Sequence, residues 1–244
     1  MVDTALEPKH YEHLLSEGFN PEHIYTMEAA GVESLTLSQA LRLNFKVWDE
    51  ENAKWVSSPG LKFPFTKTFA QIRCDALIER KGRTVKYITP FKAKSEAMEP
   101  KGCRVITEGA KDSWAGTLHG GIPTGCVAGV SHTRKTLPEG CGYVILFDSD
   151  GWRNPKVARS LMNSACHCNG KIQLVPELDR YPKGGLCEYF KSGASADQYA
   201  ELIGTAMTPE QFLWAWMAKW QHYPAQLRAE CLEVSMQFGE GLVA

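Results

Sequence analysis

Val105-Ile-Thr-Glu-Gly-Ala-Lys-Asp112 is answered about forty residues later by Val144-Ile-Leu-Phe-Asp-Ser-Asp150. Each segment opens on a short apolar, β-branched run and closes on acid. Such a run, bounded by turn residues, is the pattern of a parallel strand covered on both faces. Glu108, Asp148 and Asp150 then fall at strand C-termini, the edge of an open α/β sheet where ligands bind, and can converge on one crevice. Carboxylates without nearby thiols suit a hard cation, magnesium or manganese.

With 244 residues and 43% hydrophobic content, the chain can bury a sizeable core, as one large domain or two small ones. A net charge of -1 and a pI near 6.7 give no global pull toward nucleic acid, so such binding needs a local basic patch. No run of about 18 apolar residues and no charged-then-apolar leader is seen, so neither a membrane span nor a secretory signal is expected. The cytoplasm is the default location. The eight cysteines are scattered and read as reduced, mostly buried thiols. Only Cys166-His167-Cys168 is clustered, with no second ligand pair at zinc spacing, and it reads as one face of a helix end. HExxH, GxSxG and P-loop sequences are absent, and His132 falls in a loop after an expected strand.

Around the acidic segments the chain divides into three parts, 1–100, 101–205 and 206–244. The first opens with helices: Tyr11, Leu14 and Leu15 at helical spacing, a break at Gly18-Phe-Asn-Pro21, a second helix from Pro21 to Ala30, and a third from Ser38 to Leu43 capped within Ser34–Ser38. Short β-rich runs follow at Phe45–Trp48, Trp55–Ser57, Leu61–Phe65, Phe69–Cys74 and Thr84–Thr89, an antiparallel region. From about Cys103 strands and helices alternate: Asp112–Leu118 helical, Thr124–Val130 a strand, Tyr143–Phe147 a strand, Asn154–Cys166 helical, Lys171–Val175 a strand, Ala196–Ile203 helical. The last long helix is expected at Thr208-Pro-Glu-Gln211, a capping signal. Its Phe212, Trp216 and Trp220 form a stripe that reads as core before base-stacking platform. The fold class is therefore α/β, an open, mainly parallel sheet flanked by helices, preceded by a helical plus small β region and followed by a helix.

Thr107-Glu-Gly-Ala-Lys-Asp112 followed by Phe147-Asp-Ser-Asp150 resembles the two acidic motifs of the Toprim domain, shared by topoisomerases and bacterial-type primases. Pro59-Gly-Leu-Lys-Phe-Pro64, Ile72-Arg-Cys-Asp75, Lys86-Tyr-Ile-Thr-Pro90 and Lys183-Gly-Gly-Leu-Cys-Glu-Tyr-Phe190 further resemble the Toprim-like domain of uncharacterised function in plasmid and phage replication proteins, often found beside a helicase. The resemblance implies a magnesium- or manganese-dependent, primase-like protein acting on DNA or RNA, single-stranded, with a replicative helicase as a possible partner. It implies that Glu108 is a further metal ligand or the general base and acid. A Toprim-type nuclease and a non-catalytic binding module are the alternatives. One segment departs from the pattern: relatives carry two consecutive aspartates where this chain has Cys187-Glu188. Glu188 can replace one acid, but a thiol supplies no hard oxygen.

The residues themselves add to this. Asp148 and Asp150 share a face if the strand continues to Asp150. Gly109 reads either as the glycine that lets the backbone turn tightly beside the acids or as a simple turn glycine. Asp112 reads as an N-cap or first-turn acid favoured by the helix dipole. Lys111, at the helix N-terminus, and Lys183 are candidate phosphate contacts, against a solvated lysine for the first and a Gly-rich exposed turn for the second. Arg73 and Lys86 are candidates for a basic wall, and Arg153 with Lys156 and Arg159 for tracking a strand backbone, although a solvated helix face explains these last three equally well.

Overall fold

The computed structural model describes residues 4–80, 82–130, 133–181, 183–220 and 222–242. The chain divides into two compact units, Met1–Met98 and Glu99–Ala244.

The first unit begins with α1 (Pro8–Ser16) and α2 (Pro21–Ala29), each with proline in its first turn, where the missing N–H costs nothing. Asn20 caps α2 by accepting the His23 N–H at 2.8 Å. Next come β1 (Glu33–Leu35) and α3 (Leu37–Arg42). The cap of α3 is Thr36, in a reciprocal capping box with Gln39. Ser34 and Leu35, expected to belong to the cap, are instead an edge strand pairing with Leu61 and Gly60. Three residues are too few to show a strand period, which is why the segment reads as a turn. A two-stranded ribbon, β2 (Val47–Asp49) and β3 (Lys54–Val56), precedes β4 (Gly60–Pro64), β5 (Ala70–Arg80) and β6 (Arg83–Ile88). The antiparallel sheet has the order β1-β4-β5-β6 and covers a core of Leu35, Ala40, Phe45, Ile72, Cys74, Ile78 and Ile88. At its rim the buried His10 bridges Ser34 and Asp75, each at 2.7 Å, tying α1 to β5.

The second unit alternates β7 (Val105–Thr107), α4 (Ala110–Leu118), β8 (Thr124–Cys126), α5 (Thr133–Thr136), β9 (Val144–Phe147), a 3-10 turn (Ser149–Trp152), α6 (Pro155–Cys168) and β10 (Lys171–Leu174). Helices α7 (Leu186–Lys191), α8 (Ala196–Gly204), α9 (Pro209–Trp220) and α10 (Ala225–Leu242) follow. The sheet is wholly parallel in the order β10-β9-β7-β8, and its central strands are apolar because helices cover both faces. Strand β8 leaves the sheet after Cys126, short of the expected Val130, and His132 lies outside the described residues. Cys166-His167-Cys168 forms the last turn of α6, before Asn169 in the left-handed conformation (φ 50). Phe212 and Trp216 are fully buried, Phe212 stacking on Trp152 and Trp216 on Trp220, so the stripe of α9 is core. The last long helix is α10 rather than the one begun at Thr208. All eight cysteines are free thiols. Among the described residues no helix is long and apolar enough to cross a membrane.

Candidate active site

Strands β7 and β9 lie side by side, Val105 opposite Val144 and Ile106 opposite Ile145. Each ends one residue before an acid, Glu108 after Thr107 and Asp148 after Phe147. Chain order reverses at this pair, β8 lying beyond β7 and β10 beyond β9, so the loops diverge and a crevice opens at the strand C-termini. The Thr107 hydroxyl, shared between the carbonyls of Gly109 (3.0 Å) and Gly125 (3.1 Å), pins the first loop. The Glu108 carbonyl accepts the Gly129 N–H at 3.1 Å.

Asp148 and Asp150 are not placed by strand alternation. Strand β9 stops at Phe147 and Asp148 opens the 3-10 turn, so the two acids are brought together by a tight turn. The reason lies in Gly151: a Cβ there would stand 2.6 Å from Leu174 Cδ2, so the turn packs its bare backbone onto β10. The Trp152 carbonyl then accepts from Trp216 Nε1 (3.1 Å) and the Tyr223 hydroxyl (2.8 Å). Ser149, fully buried, exchanges two bonds with Gly184: its N–H donates to the Gly184 carbonyl and its Oγ accepts the Gly184 N–H, both at 3.1 Å. This clasp brings the neighbouring Lys183 to Asp150, Nζ to Oδ2 2.8 Å, while the lysine side chain stays 74% exposed.

Asp112 sits in the first turn of α4, as expected, and does more. Its Oδ1 accepts the Cys187 N–H at 3.0 Å, so one carboxylate serves the first turns of both α4 and α7. Gly185 admits it, since a Cβ there would lie 2.6 Å from that oxygen. Glu188 caps its own helix, Oε2 accepting the Gly185 N–H at 2.9 Å. Cys187 is buried, and its backbone N–H is what Asp112 accepts. Gly109 is the N-cap of α4 at φ -143, extended backbone that any residue adopts, and a Cβ at that position would meet open space; the tight-turn reading is thereby corrected.

Burial and mutual repulsion show in the acids' proton affinities. Desolvation, then the charges of Asp150 and Asp112, push the Glu108 carboxyl up to about 7, with Lys183 opposing. Desolvation also raises Asp148 far above the usual carboxylate range, reinforced by Asp112, Glu108, Asp150 and Glu188. Five carboxylates from three chain segments therefore share one field. The Asp150 carboxylate in turn raises the Lys183 ammonium. Their hard oxygens, with no thiolate among them, have the chemistry of a divalent-cation site. Among the described residues, however, no three His, Cys, Asp or Glu side chains are gathered at ion-binding spacing.

The remaining candidates are spread over both units. Lys111 is the second residue of α4 and half-buried. Arg153 meets Glu177 at 3.0 Å, and Lys219 approaches the same carboxylate at 4.0 Å. Lys156 is exposed, and Arg159 lies 3.7 Å from Glu233. Arg73 and Lys86 belong to the first unit. Arg73, on β5, pairs with Tyr87 of β6, and the adjacent Lys86 holds its Nζ 5.9 Å from the Tyr87 ring. Sequence reasoning missed Ser149, Gly151 and Gly185, whose roles are close approaches between segments far apart in the chain.

Parallel sheet, order reversal and acidic strand ends define the class: a Toprim-like α/β fold. No family model and no curated protein matches the sequence. Solved structures do match, among them catalytic domains of DnaG primases. The DnaG catalytic core aligns with a TM-score of 0.58 at 12% identity, over 96% of this chain and 85% of that one. The RNA polymerase domain of Mycobacterium tuberculosis primase DnaG, in complex with a double-stranded DNA oligomer with a 6-nucleotide overhang, gives 0.56 at 12% identity, over 97% and 85%. The DnaG primase catalytic domain bound to ssDNA gives 0.56 at 11%, over 98% and 93%. At these identities the likeness is one of fold.

Proposed function

We propose that the chain is a metal-dependent, primase-like protein of plasmid or phage replication, transferring phosphoryl groups on single-stranded nucleic acid, with Glu108, Asp148 and Asp150 as its reacting acids. The observation that supports this reading most is the shared field of Glu108, Asp112, Asp148, Asp150 and Glu188 at the order reversal of a primase-type fold. A protein does not hold so many carboxylates against one another for stability, because each raised proton affinity is a cost to folding.

Asp148 and Asp150 would hold Mg2+ or Mn2+, with Glu108 either a further ligand or the general base and acid, and Glu188 at the margin since its Oε2 already caps α7. Bound there, the cation would neutralise charge developing on the reacting phosphate. With no cation on it, Glu108, its carboxyl pushed up to about 7, is suited to take a proton from an attacking hydroxyl and return it at neutral pH; as a metal ligand it would stay ionised. Lys183 can leave Asp150 for a phosphate oxygen, since its side chain is mostly exposed. Asp112 keeps α4 and α7 in register and so holds Glu188 beside the acids.

Purified protein incubated with end-labelled single-stranded DNA and all nucleotides, in magnesium or manganese, tests the reading against the D148A/D150A double variant. Extended or newly primed products that vanish in the variant are expected. Shortened products would move the protein to the nuclease class, and activity unchanged in a folded double variant would remove the acids from the chemistry.

A further inference from the structure

The first unit carries an aromatic face with lysines over its rings. Trp48 and Trp55 sit opposite each other on the β2–β3 ribbon, ring centroids 5.3 Å apart, and Phe91 packs on Trp55 at 4.4 Å. Trp55 remains 40% exposed. Lysines lie over the rings: Lys46 Nζ is 4.9 Å from the Trp55 centroid and 5.9 Å from that of Phe91, and Lys92 Nζ is 5.3 Å from Phe91.

This face is built rather than incidental. Phe91 is fixed by two bonds to Asn44, its N–H donating to the Asn44 carbonyl at 2.8 Å and its carbonyl accepting from Asn44 Nδ2 at 3.1 Å. Both flanking positions are strained: Asn44 has φ 64 and Lys92 has φ 63, the left-handed region that side chains other than glycine rarely adopt. Asparagine tolerates that conformation; lysine does not favour it, and here it sets an ammonium over the Phe91 ring.

We propose that Trp55 and Phe91, with Lys46 and Lys92, form a stacking platform for a single-stranded nucleic acid. Aromatic faces take bases of any sequence, and cations beside them take the phosphates. The two lysines rest on the rings in the free protein. A base arriving on the ring replaces the ammonium, which is on a flexible stem and swings to the neighbouring phosphate. Lys46 and Lys92 on the rings favour a polyanion with π-faces over an apolar protein segment, and the acids Asp49, Glu50 and Glu51 stand at the end of the ribbon, past the Trp48–Trp55 pair. The inference rests on the reading of the chain as a nucleic-acid protein, and it adds a site for the strand on the first unit.

The test is anisotropy of the full chain with a labelled 12-nucleotide oligo(dT) and with an abasic strand of the same length, at several salt concentrations. For W55A a loss of about 5- to 150-fold in affinity for oligo(dT) is expected, the range for removing one stacked base. The abasic strand should bind the native chain more weakly by a similar factor and should not distinguish it from W55A. W55F, which keeps a ring and the ribbon, should stay near the native value and separates stacking from misfolding. K46Q/K92Q should flatten the slope of log affinity against log salt by about 1.4. Equal binding of the two strands, no binding at all, or a folded W55A indistinguishable from native overturns the platform and leaves the face to a protein partner. All binding is measured in EDTA, where no cation can join the acids to the strand. Binding through Trp55 without any product would therefore sink the proposed chemistry alone, and product formation insensitive to W55A would sink the platform alone.

Discussion

At the scale of single residues, the site is a set of carboxylates held where they would rather not be ionised. Asp148 makes this measurable. Its carboxyl titrates higher folded than unfolded, first through burial and then through Asp112, Glu108, Asp150 and Glu188. The folded state therefore binds more protons than the unfolded one above the ordinary aspartate pKa, and stability falls as pH rises. In EDTA, D148N should unfold at a higher temperature than the native chain, with a gain at pH 8 of order 1–3 kcal/mol, roughly 2–4 °C for each kcal/mol, and a smaller gain at pH 5. Thermal melts at the two pH values read it directly; a variant less stable than native at both would mean that Asp148 is not under this pressure. The acids themselves were legible in the sequence, because a strand followed by acid is a local pattern. The partners that orient them were not: Ser149 meets Gly184 and Asp112 meets Cys187 across long stretches of chain, and no local period records such meetings.

At the scale of elements, the turn bearing Asp148 and Asp150 depends on helices that come much later. Trp216 of α9 and Tyr223 beyond it both donate to the Trp152 carbonyl, and Lys219 stands 4.4 Å over the Trp152 ring. The carbonyl has two acceptor positions, so removing one donor should be cheap and removing both should not. Y223F alone is expected to cost about 1 kcal/mol. W216F/Y223F, which also disturbs the stacking on Trp220, should cost about 2–4 kcal/mol and lower the metal-dependent activity more than stability explains, since the turn is released. Denaturant melts with product assays decide it; activity kept in a folded double variant would show that the turn needs no such support. The buried Trp216 was legible as core from its spacing. Its second role was not, since a sequence shows an indole without showing what its N–H reaches. Element lengths explain the other differences. The helices expected around Pro155, Ala196 and Pro209 carry caps and first-turn prolines that mark them, whereas three-residue β1 and six-residue α7 carry too few residues for a period.

At the scale of the whole molecule, the two units respond to pH with opposite sign. In the first unit Asp75 is partly buried, which opposes ionisation, but its bonds to Lys9 and His10 outweigh this and lower its pKa. A depressed carboxyl stabilises the fold above the unfolded pKa, and that contribution is lost as pH falls through the folded value. The second unit carries Glu108 and Asp148 with raised values, so its stability is greatest in mild acid and falls from about pH 4 upward, through the Glu108 carboxyl near 7. Each unit has its own core, so separate unfolding is the natural expectation for two compact bodies on one chain. Calorimetry in EDTA should therefore resolve transitions that shift independently: raising pH from 5 to 8 lowers the second unit's midpoint but not the first, where burial lowers the His23 imidazole and so adds stability as pH rises, and lowering pH from 5 to 3 lowers the first. D75N assigns them, because it should remove the acid sensitivity of one transition, lower that midpoint at pH 7, where the buried His10 loses its carboxylate, and leave the other untouched. One transition that moves in a single direction with pH, or a D75N chain that keeps the native acid sensitivity, would refute the independent response. Magnesium adds a last discriminator: binding at the acids should restore the second unit's midpoint at pH 8 and do nothing to the first.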